Sequence, residues 1–198
     1  MLTTLSSLTH RPVPTGSQYG RLTSDELVAA KALIREGYPN ALYKPWLDAR
    51  CDRLFIVRRS ISTSIWIPFC GRKRVTVPHG YTTDGVSSPF RVGGFPYEYD
   101  DECWWCVHDW LYDVATWDDG TSCSKACCDW ALIYLMCCSF RTLWLGAFRW
   151  LIPSALFLSP RAYARFNYLR KALKEGQKPL VLNALDVETL LNARRFEI

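Results

Sequence analysis

The residues best suited to catalysis are His108 and Asp109, which are adjacent in a segment that is otherwise aromatic and apolar. A charged pair is unexpected there, because ionisable side chains are rarely buried without a partner. Tyr112 follows His108 by four residues, so on a helix the two side chains project from one face. A histidine whose ring is held by a carboxylate can take a proton from water or another nucleophile. These residues are therefore the first candidates for a reactive site.

The acid that can hold the histidine is Asp129, the single carboxylate in the apolar segment 124–138. A buried acid in such a segment needs a partner. If the two segments form helices that pair antiparallel about the acidic loop 117–120, Asp129 comes level with His108 and Tyr112. The sequence thus predicts His108 as a general base, Asp129 as the acid that orients its ring, and Tyr112 as a hydroxyl beside them.

A cation site is predicted next to this pair. Asp84 and Asp109, with the carbonyl groups of the loop at Gly85, are hard oxygen ligands of the kind that Ca²⁺ prefers. A bound cation can polarise a carbonyl group and stabilise an oxyanion. Ser87 and Ser88 are alternative nucleophiles, although their loop lacks the strand, elbow and helix of the serine hydrolases.

The alternative for the same residues is a structural polar network. In that interpretation His108 and Asp109 hydrogen-bond the loop 83–88 and fix its shape without any reaction. The other two histidines occupy ordinary positions, since His10 lies in the N-terminal stretch and His79 follows a proline at the end of a strand. Both interpretations remain open at the level of the sequence.

The pattern of apolar residues predicts the elements that position these groups. A capping box precedes the first helix, and β-branched residues alternate between 53 and 77, which indicates two or three short antiparallel strands. The basic run 72–74 is interpreted as a solvated turn between strands. The expected class is α+β, a short antiparallel β-hairpin or meander packed on a mainly helical bundle in which an antiparallel helix hairpin carries the His-Asp motif. The predicted helices are 24–37, about 100–113, 122 or 124 to 138, 159 or 160 to 174, and 186–195.

Composition favours one domain with extensions. The chain has 198 residues, 49% of them hydrophobic and 14% aromatic, which excludes a disordered or fibrous protein. Residues 1–22 are predicted to form an extended N-terminal arm, 23–175 a single globular domain, and 176–198 a C-terminal tail with a short helix. A net charge of +5 is explained by solubility, so no nucleic-acid partner is expected.

The chain is rich in cysteine, with nine residues. The N-terminus lacks the basic start and apolar run of a secretory signal, so synthesis in a reducing cytoplasm and buried thiols are expected. A zinc site from Cys103, Cys106, Cys123 and Cys127, or a disulfide between the two cysteine-bearing helices, are the alternatives. The apolar segment 142–158 is interrupted by charge and proline and is short for a bilayer, so no transmembrane span is predicted.

Three motifs together resemble domain of unknown function family 1353, which is found in tailed bacteriophages and prophages. They are VPHGYTTDGVSSP at 77–89, HDWLY at 108–112, and the acid Asp129 on the following helix. The resemblance covers about residues 53–158. It implies a phage protein but no settled activity. The chain departs from the family pattern at Arg91, which stands two places after the proline rather than directly after it.

The same residues have a weaker local similarity to the prokaryotic phospholipases A2. That similarity implies His108 as the base that activates water, with Asp129 and Tyr112 orienting it. It also implies Asp109 as a Ca²⁺ ligand, with Asp84 and Gly85 completing the loop. Here Val86 stands where that family often has a loop cysteine, so its usual disulfide cannot form.

Together the motifs predict a phage protein, in the virion and associated with its tail, that hydrolyses phospholipid esters when the phage enters or lyses the cell. Its enzyme class would be a calcium-dependent lipid acyl hydrolase, with membrane lipid as substrate and the two arms contacting other virion proteins. The first alternative is a non-catalytic structural component of the tail or tail tip. The second is a zinc-dependent hydrolase of the cell wall.

Overall fold

The computed structural model describes residues 19–21, 24–42, 55–83, 104–138 and 160–192, and these ranges hold five helices and five strands. The α+β class predicted from the sequence is confirmed. One antiparallel sheet has the order β1-β2-β5, and β3 with β4 forms a separate hairpin. The strands are β1 (Tyr19–Arg21), β2 (Phe55–Val57), β3 (Ile61–Ile67), β4 (Gly71–Val77) and β5 (Thr82–Thr83). The helices are α1 (Ser24–Gly37), α2 (Trp104–Val114), α3 (Lys125–Cys138), α4 (Pro160–Lys174) and α5 (Ala184–Asn192).

The β3–β4 hairpin follows the alternation seen in the sequence. Its register runs from Ile61 opposite Val77 to Ile67 opposite Gly71, and the isoleucines of β3 face the core. The interpretation of residues 72–74 as a turn is wrong, because they lie within β4. The turn is at 68–70, where Pro68 precedes Phe69, whose φ is positive; Gly71, directly after the turn, also has a positive φ.

Strand β2 separates two hydrophobic cores. Successive side chains of a strand point to opposite faces, and here Phe55 and Val57 belong to the main core while Ile56 belongs to a smaller one. All three are fully buried, which explains why this strand is a continuous apolar run. The main core lies between the β3–β4 hairpin and helices α2, α3 and α4.

Helices α2 and α3 form the predicted hairpin around the loop 115–124. The loop is closed where the amide of Cys123 donates to the carbonyl oxygen of Ala115 at 2.7 Å. Of the two serines predicted as caps, Ser124 is the one used, since its hydroxyl accepts from the amide of Cys127 at 3.2 Å. The predicted start of α2 near residue 100 lies outside the described residues.

Helix α4 has the bounds expected from its proline start, and it packs against α2. Its core-facing side chains are Phe166, Leu169 and Ala172. The apolar segment 142–158, which precedes it, lies outside the described residues. In the part of the chain that the structure describes, none of the helices combines the length and the hydropathy needed to cross a bilayer.

The segment predicted as a C-terminal tail packs on the rest of the molecule. Leu180, Leu182 and residues of α5 form the smaller core with the apolar face of α1. The amide of Leu182 donates to the carbonyl oxygen of Gly80 at 2.9 Å, which joins this segment to the turn before β5. Helix α5 begins two residues before the predicted start, after Asn183, whose side chain accepts from the amide of Asp186 at 2.9 Å.

Candidate active site

Three of the residues singled out in the sequence meet between α2 and α3. Nε2 of His108 lies 3.2 Å from Oδ1 of Asp129, and the hydroxyl of Tyr112 donates to the same oxygen at 2.6 Å. The rings of His108 and Tyr112 are one helical turn apart, with centroids separated by 4.4 Å. This is the arrangement expected from an antiparallel pair of helices with a short connection.

Asp129 is held as a carboxylate by donors on every side. It is 1% exposed, and its second oxygen accepts from Nζ of Lys125 at 2.6 Å. Lys125 precedes it by four residues on α3, so both face the same way. Burial alone raises the pKa of Asp129, but the hydrogen bonds and charge of His108, then Lys125 and Tyr112, lower it overall. Burial and this carboxylate raise the pKa of Tyr112, so its hydroxyl remains a donor.

The other nitrogen of the histidine faces a second acid. Nδ1 of His108 lies 3.7 Å from Oδ1 of Asp109, which is longer than a direct hydrogen bond. Burial lowers the pKa of His108, but the interactions with Asp109 and Asp129 outweigh it and the net shift is upward. The side chain of His108 is 15% exposed, so solvent reaches it although its partner Asp129 is sealed.

Asp109, predicted as a cation ligand, is held by two protein groups. Its Oδ2 accepts from the hydroxyl of Thr83 at 2.6 Å, and its Oδ1 lies 3.8 Å from a guanidinium nitrogen of Arg165 on α4. The side chain of Asp109 is buried, at 8% exposure. A positively charged group of the protein therefore lies beside the carboxylate that was predicted to bind a cation.

The other predicted calcium ligands, Asp84 and Gly85, lie outside the described residues, as do the alternative nucleophiles Ser87 and Ser88. A calcium ion needs six to eight oxygen ligands. Among the described residues, no group of three or more histidine, cysteine, aspartate or glutamate side chains is arranged to hold a metal. Asp109 alone does not make a calcium site, so the described residues do not fit the ion, and the calcium site remains a prediction that rests on the loop.

Asp113, one turn beyond Asp109 on α2, is a further buried acid. The hydroxyl of Tyr81 donates to Oδ2 of Asp113 at 2.8 Å, and both side chains are fully buried. Burial, and then the negative charges of Asp113 and Asp109, raise the pKa of Tyr81. The ring of Tyr81 also contacts Trp110 edge-on, with centroids 5.0 Å apart. The hydroxyl and the ring together fix the start of β5, and with it Thr83, against α2.

Three polar residues of this region were not predicted from the sequence, namely Lys125, Asp113 and Arg165. Lys125 was detectable, because a lysine four residues before an acid on a helix is a recognisable pair. Asp113 was visible as an acid in an apolar helix, but its partner Tyr81 was not. Arg165 gave no signal, since it reaches Asp109 from a distant part of the chain. The hydrogen bond from Thr83 to Asp109 agrees with the structural alternative, in which His108 and Asp109 bind the loop 83–88; of that loop only Thr83 is described.

The described cysteines are thiols. Sulfur atoms of Cys123 and Cys128 lie 3.2 Å apart, and the sulfur of Cys127 accepts from the hydroxyl of Ser124. Burial and then Cys123 raise the pKa of Cys128, which keeps that thiol protonated. Cys103, which the zinc interpretation requires, lies outside the described residues.

Comparison with models of protein families, with curated proteins and with solved structures found no match. The resemblances to family 1353 and to the phospholipases A2 therefore stay predictions that rest on the quoted motifs.

The arrangement can carry out general-base chemistry. A carboxylate at Nε2 favours the tautomer with the proton on Nε2, which leaves the lone pair on Nδ1. That nitrogen is the one without a direct hydrogen bond to Asp109, and the side chain of His108 keeps 15% exposure. A water molecule at Nδ1 could thus lose a proton to the ring.

Proposed function

We propose that this chain is a phage protein that hydrolyses the ester bonds of phospholipids, with His108 as the general base. The observation that supports it most directly is the contact of Nε2 of His108 with Asp129 at 3.2 Å, in a ring that keeps some solvent exposure. Tyr112 holds the same carboxylate, so the ring is oriented by a group that is itself fixed. This is the geometry that general-base activation of water requires.

The proposed reaction is a single hydrolysis. Nδ1 of His108 takes a proton from water, the resulting hydroxide attacks the ester carbonyl, and a tetrahedral oxyanion forms. When it collapses, the bond to the alcohol oxygen breaks, and the histidine returns its proton to that oxygen. Asp129 stabilises the imidazolium between the two proton transfers, without taking the proton itself. The products are a fatty acid and a lysophospholipid.

The first prediction concerns fatty-acid release from phospholipid vesicles. We expect release by the wild type, and a loss of a hundredfold or more, on the order of the contribution of a general base, in His108→Ala. Asp129→Asn should be impaired as well, because an amide cannot stabilise the imidazolium. His79→Ala is the matched control, since this histidine lies in the turn before β5 and should leave release unchanged.

Running the assay with added Ca²⁺ and with a chelator tests the role assigned to the loop at Asp84. Dependence on the ion would support the loop as a cation site. Release that His108→Ala does not reduce would disprove the proposed base. A wild type that releases no fatty acid under either condition would disprove the hydrolase.

A structural component of the phage tail is the second candidate, and the way in which Asp109 and Asp129 join separate parts of the chain favours it. Thr83 and Arg165 bind Asp109 while Lys125 binds Asp129, so three separate parts of the chain are joined through two acids. The arms proposed to contact other virion proteins are 1–22 and 176–198, of which residues 1–18, 22 and 193–198 lie outside the described residues. For this candidate His108→Ala should lower the melting temperature, and no variant, nor the wild type, should release fatty acid.

A further inference from the structure

The tip of the β3–β4 hairpin exposes an aromatic side chain on a strained backbone. Phe69 is fully exposed, at 107% of its reference area, and its φ is +65°. The amide of Cys70 donates to the carbonyl oxygen of Ile67 at 3.2 Å, so Pro68 and Phe69 are the central residues of the turn. Proline followed by a residue with positive φ is the pattern of a type II turn, in which glycine usually takes the second of these positions.

Two costs therefore coincide at Phe69. An L-residue with a side chain is disfavoured at positive φ, and a large apolar ring in water forgoes the gain from burial. Either glycine or asparagine would suit this backbone better. A backbone outlier that also carries an exposed apolar group points to a use for that group outside the folded chain.

The residues around the tip add area and charge. Trp66, on the outer face of β3, is 51% exposed and lies directly opposite Arg72 of β4. Arg72 is exposed and makes no ion pair with any described residue, whereas Lys73 and Arg74 pair with Asp119 and Asp118. The acids of this region are thus engaged further along the hairpin, away from the tip. We call Trp66, Phe69 and Arg72 the tip surface.

The hairpin is fixed to the helix that carries the candidate base's partner. Nε1 of Trp130 donates to the carbonyl oxygen of Trp66 at 3.0 Å, and Trp130 directly follows Asp129 on α3. The hairpin that carries the tip surface is therefore anchored to α3 by this hydrogen bond.

We propose that the tip surface inserts into an anionic lipid surface. Tryptophan and phenylalanine are suited to the boundary between headgroups and acyl chains, and an arginine beside them can bind the lipid phosphates. The aromatic groups and an available cation lie together on one end of one hairpin, which matches an apolar layer covered by negative charge. The inference extends the proposed function by giving it a lipid-binding surface, but binding can be tested without hydrolysis.

The test is co-sedimentation with vesicles of phosphatidylglycerol and phosphatidylethanolamine, compared with neutral phosphatidylcholine vesicles. We expect Phe69→Gly to lower the vesicle partition coefficient about tenfold. Since glycine relieves the positive φ, its melting temperature should not fall, which separates binding from misfolding. Arg72→Gln should lower partitioning about fivefold on anionic vesicles and little on neutral ones.

Matched controls are available elsewhere on the surface. Leu185→Ser removes an exposed apolar side chain from α5, and Arg58→Gln removes an exposed arginine from the turn before β3; neither should change partitioning. Wild type that does not sediment with anionic vesicles, or Phe69→Gly that sediments as the wild type does, would overturn the proposal. So would vesicle binding lost equally in the controls, or a tip surface that binds single-stranded nucleic acid in preference to vesicles.

The two proposals fail in different ways. His108→Ala should bind vesicles as the wild type does, because it lies outside the tip surface. Phe69→Gly should hydrolyse a soluble short-chain phospholipid ester as the wild type does, while losing activity on vesicles. Binding without any hydrolysis would remove the proposed enzyme and retain the lipid-binding surface.

Discussion

The imidazole of His108 faces a carboxylate from each of its two nitrogens, and only one of the two is in hydrogen-bond contact. Asp129 and Asp109 therefore have different roles. Asp129 orients the ring and stabilises its charge, whereas Asp109 lies beyond direct hydrogen-bond distance of Nδ1. A symmetric clamp on both nitrogens would instead hold the ring permanently protonated and inert.

The raised pKa of His108 predicts opposite pH trends for stability and hydrolysis. A raised folded-state pKa stabilises the protein fully below the unfolded value, about 6.5, and this stabilisation is lost as the pH rises through the folded-state pKa. The base must be neutral to work, so hydrolysis should increase over the same range. Chemical denaturation and vesicle hydrolysis, each measured from about pH 5 to 9, check both trends.

The matched variant is His108→Gln, which keeps a polar group but does not titrate. The free energy of unfolding of the wild type should decline above about pH 6.5, and that of His108→Gln should not. The lowered pKa of Asp129 affects stability at acidic pH. The stabilisation that this carboxylate contributes is lost as the pH falls below about 4. Wild-type stability that rises with pH above 6.5, parallel to the rate, would contradict the ion pairs described for His108.

For individual residues, the sequence predicts the contacts that follow from short-range spacing. His108, Tyr112 and Asp129 meet because a four-residue spacing and a short helix hairpin bring them together. The contact of Asp109 with the loop that begins at Thr83 was one of the two alternatives, whereas Arg165 could not be foreseen, since its position depends on how α4 packs against α2. Local spacing identifies the centre of the site, and tertiary packing supplies its surroundings.

Among the elements, the turn before β5 depends on one glycine. Gly80 has a φ of +81°, and a methyl group there would overlap the carbonyl oxygen of Leu182. The neighbouring hydrogen bonds leave little room for movement, because Gly80 donates to Val57 and accepts from Leu182. The turn therefore joins β2 to the C-terminal segment only if this residue has no side chain.

We expect Gly80→Ala to destabilise the protein by roughly 2 kcal/mol or more, since both the backbone strain and the overlap must be relieved. Thermal or denaturant unfolding measures the effect. Gly120→Ala is the matched control, because Gly120 also has a positive φ, of +77°, but nothing lies within contact of the added methyl group. Equal losses in the two variants would show that strain alone decides, and that the close approach to Leu182 does not matter.

Element boundaries were predictable where a cap or a breaker marks them. The bounds of α1 and α4 match the predicted ones, as does the cap at Ser124. The error at residues 72–74 arose because three adjacent charges suggest a solvated turn. In the structure Lys73 extends from β4 to Asp119, so a charged residue within an edge strand is accommodated by an ion pair with a neighbouring loop.

Over the whole molecule, the C-terminal segment is a structural part of the fold. Leu182, in this segment, and Leu190, on α5, are buried in the smaller core with Leu27 of α1. The sequence analysis assigned this segment, which contains Pro179, to a tail with a last helix. The pairing of that segment with the turn at Gly80 is a long-range contact that no local pattern announces.

We expect Leu182→Ala and Leu190→Ala each to destabilise the protein by about 2–5 kcal/mol, the cost of a cavity in a packed core. Leu185→Ala, on the exposed face of the same helix, should change stability by less than about 0.5 kcal/mol. Denaturant unfolding of the three variants measures the contrast. Near-neutral effects at all three positions would mean that the segment behaves as an arm, as the sequence suggested.

The hydrogen bond from Tyr38 to Asp186 joins residues that are 148 positions apart. Apart from Ile56 of β2, the buried residues that pack with α1 in the smaller core lie in the C-terminal segment, which a ribosome makes much later than α1. Until that segment is made, part of the apolar face of α1 has no partner, a state that favours aggregation or chaperone binding. The packing of the C-terminal segment on α1 joins residues that are far apart in the sequence, and contacts of this kind form slowly. The smaller core, which closes over this long range, should accordingly form more slowly than the local β3–β4 hairpin.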